Sequence, residues 1–377
     1  MNIIEFVKNN RFVYSAYSFL GGAFINLIKL FVKTDDKLIL FVSYGGRHYN
    51  DSPKCIYEKM LDDERFKDYR LIWAFRNPSD KPVKEAIKID TLKYYITALK
   101  ARCWVTNVVI ERGLNFTGKH TYYFHTTHTT LPKLSGNDEQ KIVFGSRFRY
   151  KYDCSCAQSE EEKRLQQNMF DLKPEQILVC GYPKNDALVH ATSEDRDSIL
   201  KELGIEPSKK TIMYAPTFRE YNTDKENLPI SFFRWKGILG DEFVVLFRAH
   251  PIIAQRMVSS IPGFLYDVSS YPDNMKLMIA SDYFISDYSG IFFEYAVLNR
   301  PMYCYAYDYD EYIKTRQLYM DIRKQLPSGN ETEIMNMIKN SDHSFEMGKV
   351  NKFKSIYVAE YGNATSKAVD NIYNSII

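Results

Sequence analysis

Several familiar signatures are missing from this chain of 377 residues. It has no G-x-G-x-x-G, no P-loop, no G-x-S-x-G elbow and no H-E-x-x-H. A dinucleotide fingerprint, a Walker-type phosphate cradle, a hydrolase elbow and a zincin centre are therefore not its chemistry. Cysteine is sparse: Cys55, Cys103, Cys154, Cys156, Cys180 and Cys304, with no C-x-x-C pair, and Cys154-Ser155-Cys156 is spaced wrongly for structural zinc. Several of these lie in apolar runs, where a free thiol behaves as a small buried hydrophobe. Scattered free thiols make a reducing, cytosolic compartment the default. Neither sign of charge dominates, since 50 Lys+Arg against 47 Asp+Glu leave +3. That balance excludes a surface devoted to nucleic acid, so no nucleic-acid partner is expected. No internal repeat and no low-complexity tract interrupts the chain.

What is present is an ordinary globular composition, 45% hydrophobic and 26% charged, which rules out wholesale disorder. At about 150 residues per domain the length suits two domains of Rossmann-like size. Aromatic content is high at 15%, with 29 Tyr and 24 Phe. A sugar or nucleotide site would use such residues, and a tyrosine-rich core explains them as well and is favoured.

The N-terminal segment, 1–35, differs from the rest. Phe12 to Ile28 carries no charge and is flanked by Lys8 and Arg11 before it and Lys29 and Lys33 after it. The stretch falls short of the roughly 20 apolar residues of a spanning helix, and it includes Ser15, Ser18, Gly21, Gly22 and Asn26. It also lacks the small-residue cleavage site of a signal peptide. An amphipathic helix lying in a cytoplasmic membrane interface is expected, with packing on the protein body as the alternative.

Beyond it, apolar runs of strand length alternate with helical patterns. Leu38–Ser43, Leu71–Phe75 and Cys103–Thr106 read as strands of a first half, with helices from Pro53 to Met60 and from Leu92 to Leu99. Ile212–Ala215, Phe243–Phe247, Tyr283–Ser286 and Met302–Tyr305 read as strands of a second half, with a short helix over Ile291–Leu298. The alternation predicts an α/β fold of two doubly wound domains, 36–190 and 191–377, with parallel sheets and a ligand cleft between them.

Chemistry-bearing residues follow directly on these strands. Ser286-Asp287-Tyr288-Ser289-Gly290 ends one strand and opens a helix, whose first-turn N–H groups can hold a phosphate, with Glu294 near enough for a ribose. A plain Ser/Asp helix cap is the alternative. Arg248-Ala249-His250-Pro251 and Tyr214-Ala215-Pro216-Thr217-Phe218-Arg219 suit an anionic ligand in the same way. In the first half, His125 and His128 lie in a threonine-rich loop, where an imidazole can accept a proton at neutral pH or contact a phosphate, with a purely structural histidine as the alternative. No cysteine or carboxylate cluster accompanies them, so no metal site is expected. Asp308-Tyr309-Asp310 has the form of a D-x-D but stands where a helix begins, and reads as capping acids.

In this order the motifs resemble one family. Gly181-Tyr182-Pro183-Lys184-Asn185-Asp186, Tyr214–Arg219, Arg248–Pro251, Ser286–Gly290 and Phe293–Pro301 are similar to the CDP-glycerol glycerophosphotransferases, the teichoic-acid-type polyol phosphate transferases. Ser43 to Lys54 resembles that family's first βα loop, and the likeness runs over about residues 38–310. Thr127-His128-Thr129-Thr130-Leu131-Pro132-Lys133 matches its Trp-His-Gly-Thr-type segment, with Thr127 and Thr129 in place of tryptophan and glycine. Losing that glycine removes backbone freedom. Gly290 stands where a second serine is common.

The resemblance implies a GT-B arrangement. The second domain would hold a CDP donor, the acceptor would enter between domains, and the enzyme would be peripheral at the cytoplasmic face of the membrane, with no metal or other cofactor. It implies transfer of a polyol phosphate, glycerol phosphate first, from CDP-glycerol or CDP-ribitol to a lipid-linked or glycan hydroxyl, in teichoic acid or capsule synthesis. His128 would be the base, with His250 able to exchange roles with it. Arg248, Thr217, Arg219, Ser286, Asp287, Ser289 and Gly290 would meet the diphosphate, and Glu294 and Pro216 the ribose and cytidine. Thr130 and Lys133 would lie on the acceptor side, while Gly181, Asn185 and Asp186 form a further motif. The compact length suits a short-transfer enzyme. The rival readings are a UDP-sugar glycosyltransferase of the same fold and a catalytically dead scaffold of a glycan assembly complex.

Overall fold

The computed structural model describes residues 11–79, 81–130, 132–139, 150–219, 230–249, 261–340 and 342–377. The apolar runs become parallel strands buried on both faces. In β1 (Asp35–Val42), Leu38, Leu40 and Val42 pack on one side of the sheet and Ile39 and Phe41 on the other. Such two-sided burial is what a strand covered by helices on both faces requires. β2 (Arg70–Phe75), β3 (Glu85–Lys88), β4 (Ala101–Thr106), β5 (Tyr122–His125), β6 (Cys154–Ala157) and β7 (Ile177–Val179) complete a sheet in the order β3-β2-β1-β4-β5-β6-β7. Every pairing in it is parallel, with Phe41 opposite Trp73 on one side and Val105 on the other.

A second parallel sheet holds β8 (Lys210–Tyr214), β9 (Phe243–Phe247), β10 (Leu265–Asp267), β11 (Tyr283–Ser286) and β12 (Met302–Cys304), in the order β10-β9-β8-β11-β12. In both sheets the chain winds outward one way and then returns to the middle to wind the other way. The reversal falls between β1 and β4 in the first sheet and between β8 and β11 in the second. A crevice opens at the carboxyl ends of the strands at such a point, because the loops there part to opposite faces.

Among the described residues all three tryptophans are core, and so are many of the tyrosines. Trp73, Trp104, Trp235, Tyr57, Tyr94, Tyr123, Tyr182 and Tyr214 are among the largest fully buried side chains. All six cysteines are free, five of them buried.

The helix Arg11–Lys29 docks by its small residues. Gly21 and Gly22 let its backbone approach Leu114 and Asn115, where added Cβ atoms would meet Leu114 Cδ2 at 2.7 Å and the Asn115 nitrogen at 3.0 Å. Asn26 donates to the Asn115 carbonyl at 2.7 Å, and Ile25 is buried beneath. The opposite face is bare, with Phe19 74% and Phe31, just past the helix, 84% exposed, alongside Leu20, Phe24 and Leu27. No helix among the described residues is long and apolar enough to cross a membrane. Lys8, one of the expected basic flanks, lies outside the described residues.

The division at 190/191 assigned the whole C-terminal end to the second domain. The last helix, Ala364–Ile376, instead packs into the first: Ala368, Val369, Ile372 and Ile376 share a core with Phe41, Trp73 and Cys103. Its apolar face meets the helix Asp51–Leu61, and the chain reaches it by passing Gly181. That residue has φ +88°, and an added Cβ would stand 2.6 Å from the Glu360 carbonyl oxygen. Asn363, at the helix's N-cap, makes no side-chain cap. Asp186 supplies it from a distance, accepting from Ala364 N at 3.0 Å and Thr365 N at 2.8 Å. A carboxylate on those unpaired N–H groups also opposes the helix dipole. Asp186→Ala is therefore expected to cost about 1–2 kcal/mol in chemical denaturation and to raise amide exchange over 364–376 first. Unchanged stability would contradict the remote cap.

Candidate active site

Asp51, His128, Lys184 and Glu294 are far apart in sequence, and the topology brings them to one point. Asp51 opens the helix after β1, and His128 follows β5. Lys184 lies in the 3-10 turn Pro183–Asn185 after β7, and Glu294 lies in the helix Ile291–Tyr295 after β11. Lys184 Nζ donates to Asp51 Oδ2 at 3.2 Å, to Glu294 Oε1 at 2.9 Å and to the His128 carbonyl oxygen. Tyr44 OH adds a hydrogen bond to Asp51 Oδ2 at 2.9 Å. The side chains of Lys184, Asp51 and Glu294 are 7%, 5% and 5% exposed, so water screens this cluster weakly. Burial alone would pull the Lys184 pKa down, but Asp51 and Glu294 outweigh it and hold the ammonium well above its ordinary value.

The backbone around this cluster is strained. Tyr44, Asp51 and Thr127 have φ of +45°, +65° and +53°, in the left-handed region that favours glycine. Each such residue costs of order 1–3 kcal/mol, and such strain gathers at functional sites. Tyr44 N–H donates to Asn107 Oδ1 at 2.9 Å, and Asn107 Nδ2 donates to Ser43 Oγ at 3.3 Å, which ties the loops after β1 and β4 together.

The two candidate histidines have different surroundings. His125 ends β5 wholly buried, stacked 4.0 Å from the Tyr152 ring with Nδ1 3.2 Å from Ser155 Oγ; burial pushes its pKa down to about 3. It is a neutral core residue. His128 is half-buried, with its ring 6.0 Å from that of Tyr44. Burial, then the charge of Lys184, lowers its pKa, while Asp51 and Glu294 pull the other way. Its imidazole is thus neutral at neutral pH and able to take a proton. His250 and Leu131 lie outside the described residues.

In the second sheet the loops after β8 and β11 are built on each other. Asp287, 1% exposed, accepts from Thr217 N at 3.0 Å and Tyr288 N at 2.6 Å. Ser286 Oγ donates to the Ala215 carbonyl at 2.6 Å. Arg219 is held by Asp287 at 2.8 Å and by Asp308 at 2.6 Å, under the rings of Tyr288, Tyr307 and Tyr312. Ser286, Asp287 and Arg219, expected at a diphosphate, therefore turn inward and fix the shape of the loop that carries the buried Pro216. Asp308 likewise makes no side-chain cap for the helix Tyr309–Thr315 and pairs with Arg219 instead. Glu294, expected at a ribose, is engaged by Lys184.

Three groups keep unused capacity. Thr217 Oγ1 is buried with no hydrogen-bond partner among the described residues. Arg248 Nη1 donates to the carbonyls of Val268 at 3.1 Å and Tyr271 at 2.7 Å, and no carboxylate pairs with it among the described residues. Ser289 Oγ accepts from Ile291 N at 3.2 Å, which leaves its O–H as a donor. Ser289 is thus the side-chain cap of the helix, and Gly290, at the N-cap, follows it.

On the first domain's side, Thr130 Oγ1 is 3.2 Å from Tyr182 OH and accepts from Gln158 Nε2 at 3.0 Å, inside a buried network. Asn185 Nδ2 donates into the same network at Gln158 Oε1, 2.8 Å away. Lys133 forms an antiparallel bridge with Leu318 and lies over the Tyr312 ring, so it stitches the two domains. Leu134 N–H to the Gln317 carbonyl at 2.9 Å and Tyr319 N–H to the Pro132 carbonyl at 2.7 Å extend that seam.

Sequence reasoning missed Lys184, Asp51 and Tyr44 as site residues. Lys184 stood in a motif already singled out, but nothing in a single sequence tells a buried lysine from a solvated one. Lys184→Met would leave two buried carboxylates facing each other without their cation. It is expected to cost about 3–5 kcal/mol in denaturant unfolding. A loss under about 1 kcal/mol, the range of an exposed pair, would contradict the buried clamp.

The sequence profile of the CDP-Glycerol:Poly(glycerophosphate) glycerophosphotransferases matches residues 24–374. A teichoic acid poly(glycerol phosphate) polymerase of Staphylococcus epidermidis is 34% identical over 326 residues, which is 80% of this chain and 45% of the relative. This chain thus spans about half of that protein's length. A teichoic acid glycerol-phosphate transferase of Staphylococcus aureus is 29% identical over 343 residues, covering 84% of this chain and 87% of the relative. The solved structure of the wall teichoic acid polymerase TagF superposes with a TM-score of 0.82 at 30% identity, over 100% of this chain and 98% of that one. With the profile spanning nearly its whole length, the chain belongs to the CDP-glycerol:poly(glycerophosphate) glycerophosphotransferase family.

Proposed function

We propose that this protein transfers glycerol phosphate, or a related polyol phosphate, from a CDP-activated donor to a hydroxyl of a lipid-linked or glycan acceptor and releases CMP, in teichoic acid or capsule synthesis. The observation that carries the reading is the half-buried, neutral His128 at the carboxyl edge of one parallel sheet, opposed by loops of the other that hold the unpaired Thr217 hydroxyl, Arg248 and Ser289. The relatives named as a poly(glycerol phosphate) polymerase and a glycerol-phosphate transferase support glycerol phosphate as the group transferred. In a GT-B-like arrangement the second domain holds the nucleotide and the first presents the acceptor.

The chemistry is mainly positioning and electrostatics. The acceptor oxygen attacks the β-phosphorus while the bond from that phosphorus to the bridging oxygen breaks, and the bridging oxygen leaves with CMP. His128 takes the acceptor's proton, a contribution of roughly 10²–10⁴-fold. Arg248, Thr217 and Ser289 meet the negative charge that gathers on the diphosphate. The Lys184 ammonium neutralises Asp51 and Glu294 and fixes the His128 backbone through its carbonyl. The bare face of the helix Arg11–Lys29 docks peripherally on the cytoplasmic side of the membrane, where a lipid-linked acceptor would lie.

Incubation with CDP-glycerol, CDP-ribitol or UDP-sugars plus bacterial membrane lipid extract tests the reading. Acceptor-dependent CMP release is expected, and UDP release would transfer the protein to the glycosyltransferases. His128→Ala is expected to cut kcat about 10²–10⁴-fold while CDP still binds. Because His128 sits below its ordinary pKa of about 6.5, the base stays unprotonated as pH falls to that value. The acid limb of kcat should therefore appear only below pH of about 6.5 and vanish in the variant. Replacing Leu20 and Phe24 with Glu is expected to abolish cosedimentation with anionic vesicles and to leave transfer to a soluble acceptor intact. Retained vesicle binding would refute the docking face.

A further inference from the structure

Gly290 has φ −64° and ψ −17°, a conformation open to any residue, so its backbone does not demand glycine. Space does. A Cβ added there would overlap Thr129 Oγ1, stand 2.9 Å from Thr129 Cγ2 and stand 2.7 Å from the Thr130 carbonyl oxygen. These atoms belong to the other domain. Real Cβ atoms do not come so close, and the carbonyl is backbone that no rotamer change can move. The contact lies between the two loops that matter most in the proposed site, since Thr129 follows His128 and Gly290 follows Ser289.

The same short helix that begins after Gly290 carries Glu294, whose ion pair with Lys184 draws the second domain onto the first. Attraction between buried charges continues to pull until repulsion stops it. We infer that Gly290 and Thr129 are that stop: a size-matched pair that sets how closely the His128 loop approaches the Ser289 loop, and so positions the base relative to the donor phosphate. Thr129 and Gly290 are positioning residues, acting through their neighbours. This rests on the cleft being the catalytic centre. An added methyl at position 290 would wedge the domains apart, and errors of such size between reacting groups are costly in rate.

Two measurements test the pair. In the Thr129→Cys/Gly290→Cys protein, the Cβ at 290 parts the loops by less than a disulfide spans, so the two Cβ atoms should still fall within its reach. Mild oxidation is expected to join the two peptides, as read by mass spectrometry. The native thiols offer little competition, being buried apart from the half-buried Cys55. Absence of the cross-link would overturn the contact whether or not the enzyme reading holds. In kinetics, Gly290→Ala should lower kcat about tenfold or more with the donor KM little changed. Thr129→Gly in the Gly290→Ala background should recover part of that loss, because only the Thr130 carbonyl then remains in the way. A fully active Gly290→Ala protein, or a double variant no better than the single, would overturn the stop. If the variants at 290 do not fold, Thr129→Gly in the wild-type background decides: it removes one side of the stop without adding an atom and should lower kcat with the donor KM little changed, whereas an unchanged kcat would overturn the stop. A cross-link in the double-cysteine protein, beside a wild type that transfers nothing from any donor, would count against the functional reading and leave the contact standing.

Discussion

One ammonium group holds this structure's centre together. Lys184 sits where loops from both sheets converge, and its partners are a carboxylate from each domain and the backbone of the candidate base. Remove its charge and Asp51 and Glu294 become buried anions in mutual repulsion, in a medium where that repulsion is weakly screened. Together with the seam through Lys133 and Leu318, that cation joins the two domains and holds the His128 backbone. It also shapes the chemistry of His128, because a positive neighbour favours a neutral imidazole.

The second domain follows a parallel logic at Arg219. A guanidinium between Asp287 and Asp308, roofed by tyrosine rings, locks the loops after β8 and β11 into one rigid piece. With its own charge satisfied, Arg219 is poorly placed to greet a phosphate and well placed to hold Thr217 still. The groups left with capacity to bind, Thr217, Ser289 and Arg248, are those whose supports are already satisfied. Preorganisation of that kind is what phosphoryl transfer draws on, since there is little covalent chemistry for the protein to perform.

Much of the fold was legible in the sequence. Phe243–Phe247 and Tyr283–Ser286 are strands over the same residues that their apolar runs marked, because a strand buried on both faces needs an unbroken run. β3 and β6 were not legible: Glu85–Lys88 and Cys154–Ala157 are short and carry polar or small residues, and neighbouring strands rather than their own pattern make them extend. The return of Ala364–Ile376 to the first domain was hidden for a related reason. Its amphipathic pattern demands a partner surface but does not name one. In the site, the strand-end motifs lie on loops that the fold gathers around one cleft, but residue type alone could not divide their roles. Whether an arginine or a glutamate faces a ligand or an internal partner depends on pairings made across the fold, such as Lys184 with Glu294.

The central claim is that Lys184 and Glu294 clamp the domains while Arg248, Thr217 and Ser289 receive the nucleotide diphosphate. A crystal structure with a bound CDP donor tests it most directly. The account predicts the diphosphate at the carboxyl ends of β8, β9 and β11 with the Lys184–Glu294 ion pair unbroken. A donor seated on the first sheet, or a Glu294 that leaves Lys184 for the ribose hydroxyls, would contradict it.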